Sequence, residues 1–150
     1  MIKKGFILLS MLLLSFCIPM LQSCGPTLGP AFQKTDKIPE EMGMVYIYRP
    51  SKGFGAAITP DVYANGFVIT TLYNGGYYPY LTKPGEIEFS AKTESTSAVT
   101  LDIKPGQIYY LKGYIGIGFF VGRPHLTVVS PEVGEKEIAE CKLIPEKKAE

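Results

Sequence analysis

The side chains that could support nucleophilic or metal chemistry are few and widely spaced. The chain has one histidine, His125, whereas a metal centre needs three or four convergent ligands and a nucleophile needs a neighbouring base. Three carboxylates, at Asp61, Glu94 and Asp102, would have to meet another carboxylate or this histidine in a cleft to support hydrolysis. We therefore predict no catalytic residues, no metal site and no cofactor, and we rank a hydrolase third among the functions considered.

A glycine-rich stretch near the end of the sequence is apolar. Its glycines stand at positions 116, 118 and 122, which is not the G-x-G-x-x-G spacing of a dinucleotide loop, so we predict no nucleotide site. Such glycines are typical of kinks in a strand. Phe119 and Phe120 lie between them, and we predict that they contribute to a binding surface for a partner protein.

Cys24 carries the strongest chemical signal. A basic start at Lys3-Lys4 precedes an apolar run over residues 6–18, which is the pattern of a signal peptide. This run is shorter than the roughly 20 residues that a permanent membrane span requires. The motif Leu21-Gln22-Ser23-Cys24 follows and resembles the lipobox of bacterial lipoproteins. We predict that residues 1–23 are removed and that Cys24 anchors the protein to a membrane.

The thiol of Cys24 would take diacylglycerol through a thioether, and its freed amine would take a further chain such as palmitate. Two or more chains hold a protein stably at a membrane. The alternative is an ordinary secretory signal, with Cys24 free or paired with Cys141. If Cys24 is lipidated, Cys141 is a lone thiol, and we favour a buried core position for it. No Asp follows Cys24, so we expect the periplasmic face of the outer membrane.

Composition limits the class of partner. The chain has 15 Lys and Arg against 14 Asp and Glu, and only two of the basic residues are arginine. Nucleic-acid binders carry clustered basic residues, so we predict no nucleic-acid partner. The residues behind the signal peptide suffice for one domain.

The pattern after the signal peptide predicts an all-β fold. Residues 24–43 are rich in proline and glycine, and we predict a flexible tether there. Residues 44–145 alternate short β-prone runs with turn signals, as in a small antiparallel β-sandwich or partly open barrel. We predict one short helix or a last strand in the segment after Pro131. We predict that residues 146–150 form a disordered tail.

Turn chemistry and alternation predict three hairpins. Asn65-Gly66 and Asn74-Gly75 suit the positive φ of tight hairpin turns. Residues 86–92 and 99–103 alternate between apolar and polar side chains, so we predict that they pair with one face exposed to water. Residues 44–48 are apolar on both faces, which predicts a central strand.

Tyrosines are abundant and tryptophan is absent. Exposed tyrosine rings can stack on glycan or peptide, although packing across strands explains the same pattern and is favoured. The rings that crowd the second predicted hairpin, and that form the rest of the predicted binding surface, are those of Tyr73, Tyr77, Tyr78 and Tyr80.

Five segments together resemble a bacterial lipoprotein family described as domain of unknown function 2846. They are VYIYRP at 45–50, DVYANG at 61–66, NGGY at 74–77, TES at 93–95 and GFFVGRP at 118–124. The resemblance implies a compact β-sandwich-like domain and assigns no activity. We therefore predict a non-enzymatic, lipid-anchored envelope domain that binds an envelope protein or supports envelope structure. The alternative is a module that binds peptidoglycan or another glycan through the tyrosine-rich hairpin.

Overall fold

The structure, a computed structural model, describes residues 27–35 and 37–146. The predicted signal peptide and Cys24 lie outside this range, as do the last four residues of the predicted tail. The strands are β1 (Gly43–Tyr48), β2 (Asp61–Ala64), β3 (Phe67–Thr71), β4 (Gly76–Thr82), β5 (Gly85–Lys92), β6 (Thr96–Ile103), β7 (Ile108–Gly116), β8 (Arg123–Val129) and β9 (Lys142–Leu143), and the helix is α1 (Pro131–Ile138).

Two sheets form a β-sandwich, which confirms the predicted fold class. The first sheet has five strands in the order β8-β7-β1-β4-β9, and the second has four in the order β3-β2-β5-β6. Most neighbouring strands are antiparallel, but β1 pairs with β7 and β4 with β9 in parallel. At one side the sheet edges meet, where the Leu126 N–H of β8 donates to Ser97 Oγ of β6 at 3.0 Å.

The main core lies between the sheets and follows the predicted alternation. Ile87, Phe89 and Ala91 of β5 are buried, while the residues between them are more exposed. In β1 every residue is buried, because its two faces contact different layers. Each large apolar side chain removed from water contributes about 1.5–3 kcal/mol, so this alternation largely decides which face of each strand is inside.

Only one of the two asparagine-glycine turns forms the predicted hairpin. Asn65 and Gly66 have φ of 48° and 83° and join antiparallel β2 and β3, as predicted. The second predicted hairpin is wrong, because β3 and β4 belong to different sheets. The turn at Asn74-Gly75 carries the chain from one sheet to the other. The predicted pairing of residues 86–92 with 99–103 is confirmed in β5 and β6.

The flexible tether predicted over residues 24–43 is wrong for residues 29–32. The Gly29 N–H donates to the Leu143 carbonyl at 2.7 Å, and Ala31 forms a bridge with Lys142. This segment therefore extends the edge of the first sheet beyond β9. Its pairing partner lies more than a hundred residues away, so no local pattern indicated it.

A second apolar layer covers the outer face of the first sheet. The Phe32 ring meets the rings of Tyr46 and Tyr77 edge-on, with centroids 5.1 Å apart in each case. Ile138 of α1 and Cys141 are buried in the same layer. The sandwich thus has a third layer, formed by α1 and the segment that contains Phe32.

The C-terminal segment contains both of the elements that were predicted as alternatives. Helix α1 begins with Pro131 and is followed by the two-residue strand β9. Gly134 lets the helix approach the sheet closely, since a Cβ there would overlap the Tyr110 ring. Over the residues that the structure covers, no helix is long and apolar enough to cross a membrane.

Candidate functional site

Three connections meet at one end of the sandwich. They are the β1–β2 loop (residues 49–60), the β5–β6 turn (residues 93–95) and the β7–β8 loop (residues 117–122). The Thr93 hydroxyl donates to the Gly122 carbonyl at 3.0 Å, which joins the second connection to the third. A Cβ at Gly122 would stand 2.8 Å from Ile58 Cδ1, so the first connection packs against the third. We call this region the loop end.

The β7–β8 loop presents large apolar side chains to solvent. Ile117, Phe119 and Phe120 are 85%, 82% and 87% exposed. The two phenylalanine rings contact each other edge-on, with centroids 4.6 Å apart. Both phenylalanines of the predicted binding surface are therefore exposed to solvent. We call these three residues the apolar tip.

Glu94 holds the backbone beneath the apolar tip. Its Oε1 accepts the Phe119 N–H at 3.2 Å and its Oε2 accepts the Val121 N–H at 3.3 Å. Gly118 permits the tight turn because it has no Cβ, which would overlap the Val121 carbonyl oxygen. The loop therefore has a defined shape without a partner. The sequence indicated Glu94 only as a candidate carboxylate for hydrolysis and did not reveal these backbone contacts.

Arg49 organises the β1–β2 loop from within the protein. The residue is only 2% exposed, and its guanidinium donates to the carbonyl oxygens of Ile58 at 2.6 Å, Gly55 at 2.7 Å and Leu72 at 3.3 Å. Burial lowers its pKa from the usual value. The side chain thus ties two points of the β1–β2 loop to the end of β3.

An open groove adjoins the loop end on the outer face of β7 and β8. Its volume is about 540 Å³, within the range of small-molecule sites. Its apolar walls include Phe54 and Tyr114, and Lys52 and Lys112 contribute positive charge. The full lining comprises Lys52, Gly53, Phe54, Lys112, Tyr114, Ile115, Thr127 and Val129.

One lysine of this groove belongs to a polar network with α1. Lys112 Nζ lies 2.6 Å from Glu137 Oε1, and the Tyr48 hydroxyl donates to Glu137 Oε2 at 2.8 Å. Burial would raise the pKa of Glu137, but these two hydrogen bonds and the positive charges of Lys112 and Lys52 together outweigh it, so the pKa is lowered. Burial and the neighbouring carboxylate raise the pKa of Tyr48. The network fastens α1 to the first sheet.

The predicted tyrosine surface is not one surface. Tyr77 is buried in the outer layer, whereas Tyr80 packs on the opposite face of the same sheet against Phe89, with ring centroids 5.8 Å apart. Tyr78 also packs against the core between the sheets, and Tyr73 is partly buried. The structure therefore does not bring the four rings together as an exposed platform. The tyrosine-rich hairpin does not form, because β3 and β4 belong to different sheets.

The residues considered for catalysis contact different partners, and Glu94 is bonded to the backbone of the β7–β8 loop. Asp61 accepts a hydrogen bond from the Thr71 hydroxyl at 2.5 Å, and Asp102 pairs with Lys104. His125 stacks on the Tyr114 ring with centroids 4.7 Å apart. Within residues 27–35 and 37–146, no group of three or more histidine, cysteine, aspartate or glutamate residues could hold a metal ion.

Cys141 is buried, as expected of a core residue, and it forms no disulfide with any residue that the structure describes. Burial, with smaller effects of nearby carboxylates, raises the pKa of its thiol to about 11. The thiolate is the reactive form of cysteine, so a thiol with this pKa is inert near neutral pH.

Comparison with known proteins places these features in a family. Residues 39–123 match the family described as "Protein of unknown function (DUF2846)", which is more than half of the chain. An "Uncharacterized protein" of Haemophilus influenzae (strain ATCC 51907 / DSM 11121 / KW20 / Rd) is 30% identical over 135 residues, covering 88% of this chain and 78% of the relative. No solved structure matches. The chain belongs to the DUF2846 family.

Proposed function

We propose that this protein is a lipoprotein of the bacterial envelope, held at the periplasmic face of the outer membrane by lipid on Cys24. The support is the motif Leu21-Gln22-Ser23-Cys24 behind a short apolar run with a basic start. Gly29 is already paired with β9. Since five residues span at most about 18 Å, a lipid on Cys24 would keep the sandwich close to the bilayer.

We also propose that the domain works by binding rather than by catalysis, and that the loop end is the binding surface. One observation carries this proposal: the apolar tip is exposed on a loop whose backbone is already fixed by Glu94. Exposed apolar residues that are contiguous, and not scattered singly, are typical of interaction sites. The non-enzymatic part is supported by the partners of the candidate residues, since Asp61, Glu94 and Asp102 are bonded to Thr71, loop backbone and Lys104, and His125 stacks on Tyr114.

Metabolic labelling with palmitate tests the anchor. Replacing Cys24→Ala removes the thiol that would carry diacylglycerol, so we expect labelling to disappear and the domain to leave the membrane fraction. Cys17→Ala is the matched control, because Cys17 lies in the segment that would be removed. Unchanged labelling of the Cys24 variant would contradict the anchor.

Photo-crosslinking in intact cells tests the binding surface. A photoreactive residue at position 120 should give discrete adducts with envelope components. Position 67 is the control, because Phe67 is 77% exposed but lies beside the β2–β3 turn, at the other end of the sandwich. Identical adducts from both positions would rule out a specific role for the loop end.

A further inference from the structure

We propose that the apolar tip inserts into the surface of a lipid bilayer. This inference rests on the binding role proposed above for the loop end and names its partner as lipid. Three features of the β7–β8 loop favour lipid: the exposure of its apolar side chains, the hydrogen bonds of its backbone to Glu94 and Thr93, and the charges around it.

The shape of the tip suits a deformable partner. Phe119 and Phe120 occupy the middle of the tight turn that Gly118 makes possible, and Ile117 precedes them. All three side chains project from the protein, so each could enter an apolar medium without a preformed pocket. Shallow insertion of this kind buries aromatic and aliphatic side chains at the boundary between headgroups and acyl chains.

Three backbone groups at and beside the tip are already hydrogen-bonded within the protein. An unpaired N–H or carbonyl is costly in lipid, so an inserted loop must satisfy these groups within the protein. The N–H groups of Phe119 and Val121 are paired with Glu94, and the Gly122 carbonyl accepts from Thr93. These polar groups of the loop backbone are therefore already hydrogen-bonded within the protein when the side chains of the tip insert.

The charges around the tip complement an anionic membrane. Arg123 follows the loop directly and is exposed, and Lys52 is exposed on the neighbouring β1–β2 loop. The carboxylate of Glu94 is turned toward backbone donors, and that of Glu137 is bonded to Lys112. Basic residues beside an apolar face strengthen binding to anionic phospholipids.

The size of the effect follows from the side chains involved. Burying one large apolar side chain is worth about a 10- to 100-fold change in partitioning. In the full chain with Cys24→Ala, which has no lipid to hold it at the bilayer, the double substitution Phe119→Ser and Phe120→Ser should therefore weaken partitioning onto vesicles by at least about 100-fold. Phe67→Ser removes an equally large exposed ring at the other end and should change partitioning little.

The decisive experiment uses the absence of tryptophan from the chain. Phe120→Trp and Phe67→Trp each introduce a single fluorophore into the full protein. The two proteins are combined with vesicles of phosphatidylethanolamine and phosphatidylglycerol, with and without brominated acyl chains. We expect the emission of Trp at position 120 to shift to the blue and to be quenched by bromine, while the position 67 variant shows neither change.

Each other outcome overturns the proposal. Emission from position 120 that vesicles leave unshifted and unquenched would show that the tip stays in water. A blue shift that depends on protein concentration without vesicles would assign the tip to a second copy of the chain. The readout is local to the tip, so it is independent of palmitate labelling, and failure of the anchor and failure of insertion can be told apart.

Discussion

Replacement of Arg49 by methionine tests how the loop end is built. The methionine side chain would keep much of the volume but could not donate to the carbonyls of Ile58, Gly55 and Leu72, which lie within 3.3 Å of the guanidinium. The bond to Leu72 is buried, and the other two are partly buried. Arg49 therefore crosslinks the β1–β2 loop through hydrogen bonds, and its replacement should lower the stability of the whole domain.

The magnitude follows from the three orphaned carbonyl groups. The buried Leu72 oxygen should cost about 1–3 kcal/mol when left unpaired, and the other two about 1 kcal/mol each, because water can reach them. Removing a buried charge returns part of this cost. We expect a net loss of about 2–4 kcal/mol in the free energy of unfolding.

Equilibrium unfolding in urea measures this loss. The midpoint should fall while the slope stays constant, since the surface exposed on unfolding hardly changes. Arg123→Met is the matched control, because Arg123 is the other arginine of the chain and is exposed. Equal midpoints for the two variants would refute the role assigned to Arg49.

Three further predictions concern the loop, the helix and the buried thiol. Glu94→Ala should speed hydrogen exchange of the Phe119 amide about 5- to 10-fold by NMR, and unchanged exchange would contradict the pairing. Gly134→Ala should lower the urea midpoint although alanine favours helices, because its Cβ would overlap Tyr110; a raised midpoint would argue against this packing. The pKa of Cys141 is raised from 9.0 to about 11, so folding favours the protonated thiol. This contribution to stability is complete below pH 9.0 and is lost as the pH rises to about 11. Cys141→Ala should remove this pH-dependent loss of stability from denaturation curves recorded between these pH values.

Local apolar patterns predicted strands β1 and β5. The alternation of residues 86–92 placed Ile87, Phe89 and Ala91 inside, and the apolar run at residues 44–48 predicted a central strand; both predictions are confirmed. The alternation depends on the two-residue period of a strand, which the sequence displays directly. Membership of the DUF2846 family is also confirmed.

Features that depend on distant pairing were missed. The turn at Asn74-Gly75 has hairpin chemistry, but a turn does not specify which sheet the next strand joins. Residues 29–32 show no apolar period in the sequence. They are held by pairing at the sheet edge and by the packing of one ring, that of Phe32. A sequence motif cannot report either contact.

For the functional region, the sequence by itself determined the types of residue: phenylalanines between glycines in one loop, and a cysteine in a lipobox-like motif, whose lipidation remains a prediction. Only the tertiary structure decided that Phe119 and Phe120 are exposed, that Glu94 binds the backbone beneath them, and that the tyrosines divide between two faces. The physical reason is that these outcomes depend on which strands pair and how the sheets pack, and those are long-range interactions.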